Sequence, residues 1–501
     1  MNTHAFYRYF FLMIFLSVWF ILTIGNVQAR PTQQTETDFA AVDAYVAEQL
    51  KNLDIPGLVL GIVEDGQIAH VQGFGVADSS GRAVTPQTPF YIGSVSKSFT
   101  ALAVMQLVEA GKIDLDLPVQ TYLSWFELAD KDASAQITVR HLLNQTTGIS
   151  TKDGNRFWAS QQGLEETVRQ LDTIQLTQSV GSAFQYSNIN FMIAGLIVEK
   201  VTGRSYGDYV HENIFEPLDM QHAYASRSPA VADGLAEGHI FMFGQVFRDE
   251  GPQPPVYLPA GALIASVEDM THYMIAQLND GRYGENRILS PQGTDELHDP
   301  AIPMMGDKHY GMGWIVDSVD GVSAVYHNGD AGRNHAVVIL MPDSDSGIVL
   351  LANASGFEQV QQVDAIGSGI FSMLNGKTAP PVSLPFIIRL QYWATLLVPL
   401  LQVLGMVLVW RKRQRMKAGG VLLTAILNLA VVFLLFRLSL TIITIQSLLV
   451  FYPELGAGLI AIATLGIGWS VIYTAWYAFG ANAPQSVEIA KNWLKTNSYS
   501  S

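Results

Sequence analysis

The stretch YIGSVSKSFTA, from Tyr91 to Ala101, places a serine and a lysine three positions apart where a loop becomes a helix. Residues three apart on a helix share one face, so Lys97 is expected to lie directly beneath Ser94. A free serine is a poor nucleophile, and a lysine can take its proton only where burial or positive potential lowers the lysine pKa. The start of a helix supplies such potential, together with backbone N–H groups that suit a developing oxyanion. The pattern therefore predicts either an activated serine or an ordinary helix start with a capping serine and a solvated lysine.

Further segments accompany this stretch in a definite order along the chain. After QTPFYIGSVSKSFTALAVMQLVEAGKIDLDLPV (87–119) come ITVRHLLNQTTGI (137–149), GSAFQYSNINFMIAGLIVEKVTG (181–203), PAGALIASVEDM (259–270), YGMGW (310–314) and HNGDAGRNHAVVILMPD (327–343). This ordered set resembles the serine β-lactamase and penicillin-binding-protein superfamily, and specifically the class C β-lactamase-like serine hydrolases. The likeness covers about Asp38 to Asn375. It favours the activated serine over the ordinary helix start.

The motif set of that superfamily is Ser-x-x-Lys, Ser-Asp-Asn and Lys-Thr-Gly. Here Ser94 and Lys97 supply the first motif, Tyr186-Ser187-Asn188 fills the second and His327-Asn328-Gly329 fills the third. The resemblance implies that Ser94 is the nucleophile that forms an acyl-enzyme and that Lys97 takes or relays its proton. It implies that Tyr186 is the second acid/base, with its phenol oxygen either anionic or strongly hydrogen-bonded near Lys97.

The resemblance also assigns residues that bind the substrate. Asn188 would hold a substrate amide, and Gly329 would let a strand edge approach the substrate. The backbone N–H groups of Ser94 and Asp330 would form the oxyanion hole. His327 departs from the lysine of the true β-lactamases and is expected to offer a hydrogen bond instead of a fixed positive charge, which weakens the case for a carboxylate-bearing antibiotic as natural substrate. Gln145 is interpreted as packing beneath the site, and three residues after the third motif are candidates for shaping specificity: Arg333, Asn334 and His335.

Local patterns predict an α+β fold. Leu58 to Asp78 reads as two strands joined at Asp65-Gly66, a strong hairpin signal, and a second hairpin is expected around Asp343 to Ser346. Strands at both ends with helices between them indicate an antiparallel sheet flanked by helices, beside a mainly helical region and followed by a C-terminal transmembrane helical segment. Three segments have helical periodicity: Phe39 to Leu50, Ser98 to Ala110 and Asn190 to Val201.

The N-terminal part of the chain reads as an export signal. Hydrophobic residues make up 49% of the 501 residues, a high share for a soluble protein. An apolar run from Phe10 to Ile24 precedes the small-residue site Val27-Gln28-Ala29, so residues 1–29 are predicted to be a signal peptide, with an uncleaved anchor as the alternative. Residues 30–376 are then the exported hydrolase domain, and residues 377–389 are a proline-rich linker.

Residues 390–480 are predicted to be a membrane domain with about three transmembrane helices. The spans are expected at Leu390 to Trp410, from near Gly419, and from about Gly456 to Phe479. The basic cluster Arg411 to Lys417 places the C-terminal end of the first span in the cytoplasm. Three crossings then leave the tail, 481–501, inside and the catalytic domain on the extracytoplasmic side of the cell membrane. Leu438 to Tyr452 is apolar but short, and is read as the top of the second span, an interfacial segment or a fourth crossing.

Composition excludes several classes of function. The chain has no cysteine, so thiolate chemistry, disulfides and cysteine zinc sites are excluded. The formal net charge of -15 argues against a nucleic-acid partner, which needs a basic face. His211-Glu212 lacks the second histidine of a zinc-protease helix. The chemistry predicted here needs neither a metal nor an organic cofactor.

Two functions are consistent with these features. The first is a membrane-anchored serine hydrolase that cleaves an amide, in a peptide with a D-amino acid, or an ester through an acyl-serine intermediate. Its arrangement resembles the membrane-bound prodrug-activating peptidases, which remove an N-acyl-D-amino-acid leader, and the penicillin-binding-protein-like hydrolases that act on cell-wall peptides. The second is a penicillin-binding-like sensor of cell-wall fragments or β-lactams with slow or no turnover. Both imply a small-molecule or peptide ligand and a lipid bilayer as partners.

Overall fold

The computed structural model describes residues 37–158, 160–383, 386–412, 418–439 and 444–480. The predicted signal peptide, 1–29, and the predicted tail, 481–501, lie outside the described residues. By its internal contacts the chain divides into two units, Met1–Asp38 and Phe39–Ser501. All the elements named below belong to the second unit.

Helices and strands alternate irregularly along the second unit. The helices are α1 (Phe39–Leu53), α2 (Ser96–Glu109), α3 (Val119–Tyr122), α4 (Lys131–Ser134), α5 (Val139–Leu143), α6 (Thr151–Gly154), α7 (Leu164–Val168), α8 (Asn188–Thr202), α9 (Tyr206–Val210), α10 (Arg227–Ala232), α11 (Leu258–Gly261), α12 (Val267–Leu278), α13 (Pro291–His298), α14 (Gln359–Leu374), α15 (Phe386–Lys412), α16 (Ala418–Ser439), α17 (Ile445–Phe451) and α18 (Pro453–Gly480). The strands are β1 (Gly57–Glu64), β2 (Gln67–Gly75), β3 (Phe90–Tyr91), β4 (His239–Met242), β5 (Gln245–Arg248), β6 (Ile264–Ala265), β7 (Arg282–Tyr283), β8 (Asn286–Arg287), β9 (Ile302–Pro303), β10 (His309–Tyr310), β11 (Ile315–Val319), β12 (Val322–Asp330), β13 (His335–Met341), β14 (Ser346–Ala352) and β15 (Ala354–Ser355).

One large antiparallel sheet joins the two ends of this region. In the described part of the chain it has eight strands in the order β2-β1-β14-β13-β12-β11-β10-β9. Strand β1 pairs with β14, so that Leu58 lies opposite Ala352. The predicted α+β fold, with an antiparallel sheet assembled from distant parts of the chain, is therefore confirmed.

Both predicted hairpins are present in this sheet. Asp65 and Gly66 form the first turn with φ angles of 51° and 68°, and positive φ at both central residues is what a type I′ hairpin requires. The second hairpin joins β13 to β14 through a 3₁₀ turn that ends at Asp345, with φ of 45°. In both places the chain reverses at polar residues that tolerate the left-handed conformation.

Helices cover both faces of the sheet, as the packing around β1 illustrates. On one face, Gly61 leaves room for Thr271 and Val267 of α12, while Val59 and Val63 join the large core that contains α2 and α8. Because β1 is buried on both faces, it reads as an almost continuous apolar run. On the other face, three alternate residues of β1 pack into a cluster with α1 and α14: Leu58, Leu60 and Ile62.

Three C-terminal helices, α15, α16 and α18, lie where the three spans are predicted. Among the described residues, two helices are long and apolar enough to cross a membrane, Tyr392–Arg411 and Pro453–Ala475. The second predicted span coincides with α16, whose apolar portion Leu422–Arg437 is shorter. Within Leu438 to Tyr452, α17 is a helix of seven residues, whereas a span needs about 20; the number of spans stays a prediction.

Candidate active site

Ser94 lies in a tight turn between a short strand and a helix. Strand β3 pairs with β6, and a 3₁₀ turn over Gly93–Val95 leads into α2. Gly93 has φ of 52°, and a Cβ there would come within 2.5 Å of the carbonyl carbon of Gly329, so glycine is required for both reasons. Ser94 itself is partly exposed. Its hydroxyl can therefore be reached from outside the core.

Helix α2 carries a row of buried polar residues that are hydrogen-bonded. Ser96 Oγ donates to a backbone carbonyl of the serine turn at 2.7 Å. Ser98 Oγ accepts from Tyr273 at 2.9 Å, and Thr100 Oγ1 lies 2.6 Å from the hydroxyl of Tyr206. Buried polar groups are costly unless they are paired. These bonds therefore fix α2, and with it Ser94, against its surroundings.

Lys97 is fully buried directly below Ser94. Its Nζ lies 3.0 Å from Ser94 Oγ and donates to Asn188 Oδ1 at 2.7 Å and to the backbone carbonyl of Ala260 at 2.5 Å. Burial lowers the pKa of the Lys97 amine well below its ordinary value, because desolvation disfavours the charged form. The environment of this lysine therefore favours the neutral amine that a general base requires.

Tyr186 lies on the other side of Ser94. Its hydroxyl donates to Ser94 Oγ at 2.7 Å, and Lys97 Nζ lies 4.7 Å from the centroid of its ring. Burial raises the pKa of the Tyr186 phenol, and the hydrogen bond with Ser94 opposes that rise only in part. Of the two states considered from the sequence, the structure favours the neutral, strongly hydrogen-bonded phenol over the phenolate.

Asn188 opens α8 and is buried beside Lys97. Its Oδ1 accepts from Lys97, and its Nδ2 donates to Asn155 Oδ1 at 2.9 Å. The resemblance assigns Asn188 to a substrate amide. In this structure both ends of its side-chain amide are engaged within the protein, and one of them holds the lysine in place.

The third motif passes directly against the serine turn. A Cβ on Gly329 would lie 2.0 Å from the carbonyl oxygen of Ile92 and 2.8 Å from the backbone nitrogen of Ser94, so only glycine allows β12 to approach this closely. A Cβ on Gly93 would lie 2.7 Å from the nitrogen of Asp330. The backbone segments that carry Ser94 and Asp330 therefore lie close together, and their joint oxyanion hole stays a prediction.

His327 lies on β12 and is buried. Its Nδ1 is 2.6 Å from the carbonyl oxygen of Asn328, and its Nε2 is 3.5 Å from the hydroxyl of Tyr310. Burial, together with the nearby Lys97 amine, lowers the pKa of His327 to about 4. The imidazole is therefore neutral at neutral pH and supplies hydrogen bonds, not a fixed positive charge.

Three further residues support the site. From the sequence, only a packing role is predicted for one of them and no role for the other two. Ala260 supplies a carbonyl to Lys97, and Asn155 supplies an acceptor to Asn188. Gln145, interpreted above as packing, accepts from the backbone N–H of Ser187 and so holds the second motif. A backbone carbonyl has no side-chain signal, and Asn155 lies in a loop without a recognisable pattern, so neither contact could be predicted.

Two residues after the third motif, Arg333 and His335, contact carboxylates. Arg333 Nε donates to Asp249 Oδ2 at 2.6 Å, and His335 Nε2 lies 2.8 Å from Asp364 Oδ1. Burial by itself lowers the pKa of His335. The carboxylates of Asp364 and Asp330 raise it by more, so the pKa of His335 is raised overall. These contacts indicate a structural part for Arg333 and His335, and their part in specificity stays a prediction.

The chain also contains a second serine in a known nucleophile pattern. GRSYG, from Gly203 to Gly207, matches the Gly-x-Ser-x-Gly elbow, which requires a turn from a strand to a helix. Here the turn follows α8 instead of a strand, and Ser205 accepts from the backbone N–H of Asp208 as the N-cap of α9. Ser205 is therefore a helix cap.

Comparison with known proteins is consistent with this geometry. The family described as beta-lactamase matches residues 42–368. The unguisins hydrolase ungD' of Aspergillus campestris is 29% identical over 337 residues, which are 64% of this chain and 62% of that protein. Protein flp of Staphylococcus aureus is 27% identical over 321 residues, 62% of each chain. The chain thus spans less than two thirds of the length of these relatives.

Two solved structures share the fold. The octameric penicillin-binding protein homologue from Pyrococcus abyssi has a TM-score of 0.63 and 27% identity, covering 72% of this chain and 82% of its own. A D-stereospecific amidohydrolase from Streptomyces has a TM-score of 0.53 and 25% identity, covering 63% of this chain and 94% of its own. The similarity covers a larger share of both solved structures than of this chain.

Proposed function

We propose, because this chain belongs to the beta-lactamase family, that it is a serine hydrolase in which Ser94 attacks the carbonyl of an amide or ester. The observation that carries the proposal is the position of one partly exposed hydroxyl between two candidate proton carriers. Ser94 Oγ lies 3.0 Å from Lys97 Nζ and 2.7 Å from the Tyr186 hydroxyl. These distances suit proton transfer.

The first step is the transfer of the Ser94 proton to Lys97. A neutral amine has two N–H groups and one lone pair. The carbonyl oxygens of Asn188 and Ala260 accept the two N–H groups, which leaves the lone pair for the hydroxyl proton of Ser94. As Ser94 Oγ bonds to the substrate carbonyl carbon, the negative charge that develops on the carbonyl oxygen is stabilised by the N–H groups of Ser94 and Asp330.

The second step is the departure of the amine or alcohol. The Tyr186 phenol, kept neutral by its raised pKa, gives its proton to the leaving group as the bond to the carbonyl carbon breaks, and the proton that Lys97 took from Ser94 restores the phenol. The acyl group remains on Ser94. Attack by water, with its proton accepted by the same pair, then releases the acid and restores the serine.

The proposed substrate is an amide or peptide that contains a D-amino acid. One similar solved structure is a D-stereospecific amidohydrolase, and one curated relative is an unguisins hydrolase. The neutral His327 beside the nucleophile supports a substrate that is held by hydrogen bonds, since a fixed charge for a carboxylate is missing at that position. N-acyl-D-amino-acid amides and cell-wall peptides both have this chemistry.

We also propose that the protein is anchored in the cell membrane with its catalytic domain outside the cytoplasm. Two helices of sufficient length and apolarity support the anchor. Many of their large apolar side chains are exposed, among them Leu400, Leu401 and Ile472, and lipid would cover such a surface. The side of the membrane follows from the predicted signal peptide and from the basic cluster that begins at Arg411.

The test is covalent labelling of the full-length protein in detergent. We expect a fluorophosphonate probe to modify Ser94, as located by mass spectrometry of the digested protein, and Ser94→Ala to remove the label. Ser205→Ala, which changes the other serine in a nucleophile pattern, is expected to keep it. A folded wild-type protein that carries no label at Ser94 would refute the proposal.

Turnover then distinguishes an enzyme from a sensor. Incubation with a library of N-acyl-D-amino-acid amides is expected to release free amine repeatedly, at more than one equivalent per protein. A protein that is acylated once by a β-lactam or a cell-wall peptide and releases the product only over hours is instead a sensor.

A further inference from the structure

The segment between the last two apolar helices packs into the globular domain. Helix α17 and the following Tyr452 lie between α16 and α18, and we call residues 444–452 the bridging segment. Phe451 is buried in the main core of the domain, where its ring meets Trp158 edge-on at 4.7 Å between ring centroids. Trp158 in turn stacks on Tyr257 at 4.1 Å. The bridging segment is therefore part of the core and is more than a loop between two membrane helices.

One end of the bridging segment contacts the oxyanion side of the site. The Tyr452 hydroxyl donates to Asp330 Oδ2 at 3.0 Å. The other carboxylate oxygen of Asp330 accepts from the backbone N–H of Gly332 at 2.7 Å and from Ser355 Oγ at 2.8 Å. Three donors thus fix the side chain of Asp330, the residue whose backbone N–H is assigned to the proposed oxyanion hole. Arg333 ties the same end down, since its Nη1 donates to the carbonyl oxygen of Val450 at 2.7 Å.

The other end contacts the side of the site that carries the base. Ser447, which is fully buried, donates from Oγ to the carbonyl oxygen of Asn155 at 3.2 Å. Asn155 accepts from Asn188, and Asn188 accepts from Lys97. The bridging segment is therefore connected to the Lys97 amine through hydrogen bonds of Asn155 and Asn188.

We propose that the bridging segment completes the active site, with Tyr452 and Ser447 as positioning residues for the oxyanion hole and for Lys97. The inference rests on the proposed function, because it concerns the efficiency of the same acylation step. Oxyanion donors and bases act through preorganised positions, and a displacement of about 1 Å can cost roughly a hundredfold in rate. Both contacts come from a part of the chain outside residues 42–368, the range matched by the family.

The test compares acylation rates of full-length variants in detergent. Tyr452→Phe keeps the ring and removes only the hydroxyl that holds Asp330. We expect its rate constant for fluorophosphonate labelling to fall about tenfold, with an unchanged melting temperature. Tyr122→Phe is the matched control, since it removes a hydroxyl that accepts from the backbone N–H of Asp114 at 2.7 Å and whose hydrogen bonds involve no residue of the site. Equal rates for Tyr452→Phe and wild type would overturn the part assigned to Tyr452.

Ser447→Ala tests the side of the base in the same way. We expect slower acylation, again about tenfold. Its matched control is Ser470→Ala in α18, where the hydroxyl donates to the carbonyl oxygen of Gly466 within the helix. A Ser447→Ala protein that is acylated at the wild-type rate would overturn the part assigned to Ser447.

A double-mutant cycle shows whether Tyr452 acts through Asp330. If it does, Tyr452→Phe slows wild type but has little further effect in an Asp330→Ala background, which has no side-chain acceptor for the Tyr452 hydroxyl. Equal slowing in both backgrounds contradicts the inference. A wild-type protein without label at Ser94 refutes the proposed function itself, whereas a labelled wild type with unaffected variants refutes only the bridging segment, so the two failures are distinguishable.

Discussion

Lys97 is a fully buried amine whose hydrogen-bond partners are a hydroxyl, an amide oxygen and a backbone carbonyl. These uncharged partners stabilise an ammonium ion less than a carboxylate would, and burial penalises it, so the pKa of Lys97 falls. The same burial costs stability. Unfolded Lys97 binds a proton below its ordinary pKa of 10.5, whereas the folded protein binds it only below the lowered pKa.

Acylation and stability should both depend on pH through this lysine. We expect the acylation rate of wild type to rise with pH through the lowered pKa of Lys97, and Lys97→Met to lack this rise and to be about 10³-fold slower above that pKa. Between the two pKa values the unfolded state holds more protons than the native state, so the contribution of Lys97 to stability rises with pH. The measurements are labelling rates and melting temperatures from pH 6 to 10.

The exposed Lys112 provides the control. Lys112→Met should leave both pH profiles unchanged. A Lys97→Met protein that is labelled at the wild-type rate would show that another group takes the Ser94 proton.

At the scale of elements, the site depends on how closely β12 approaches the turn before α2. Gly93 and Gly329 face each other across this contact, and a Cβ on either would lie within 3 Å of backbone atoms of the other element. Backbone atoms can move only if the whole element moves. The strand that carries the third motif can therefore lie this close to the Ser94 turn only because Gly93 and Gly329 have no side chains.

Gly329→Ala is expected to slow acylation about a hundredfold or more, because the new methyl group would displace β12 from Ser94 and Ile92 and separate the two oxyanion donors. Labelling kinetics at a temperature where the variant is folded provide the measurement. Gly163→Ala is the control, since a Cβ there meets nothing within 4 Å in the described chain. If Gly329→Ala kept full activity, acylation would not depend on the close approach of β12 to the Ser94 turn.

At the scale of the whole molecule, the C-terminal helices pack through small residues. A Cβ on Gly405 of α15 would lie 2.8 Å from Trp469, and one on Gly458 of α18 would lie 2.9 Å from the carbonyl oxygen of Thr395. Helices in lipid associate largely through such close backbone contacts. Their arrangement determines where α16 and α18 hold the bridging segment.

Gly458→Leu should therefore separate α18 from α15 and lower the melting temperature of the full-length protein in detergent by several degrees. If the bridging segment completes the site, acylation should slow in the same variant. Gly468→Leu is the matched control on the same helix, where a Cβ meets nothing within 4 Å in the described chain. Equal melting temperatures for the two variants would contradict this packing.

Local chemistry made much of the fold predictable. The Asp65-Gly66 turn, the apolar run of β1 and the helical periodicity of α8 each depend on residues close in sequence, and each is observed. The bounds of the C-terminal helices were less predictable, because an apolar run of given length does not show where a helix stops. The seven-residue α17 is an example: its Ser447 and Phe451 are buried by the globular domain and not by lipid.

By itself, the sequence determined the α+β class from local patterns, and its resemblance to a known family named Ser94, Lys97 and Tyr186 as candidates. Only the tertiary structure decided that Asn188 holds the lysine, that the phenol is neutral and that Tyr452 and Ser447 contact the site. These properties arise from burial and from contacts between residues tens to hundreds of positions apart, and neither leaves a local pattern in the chain.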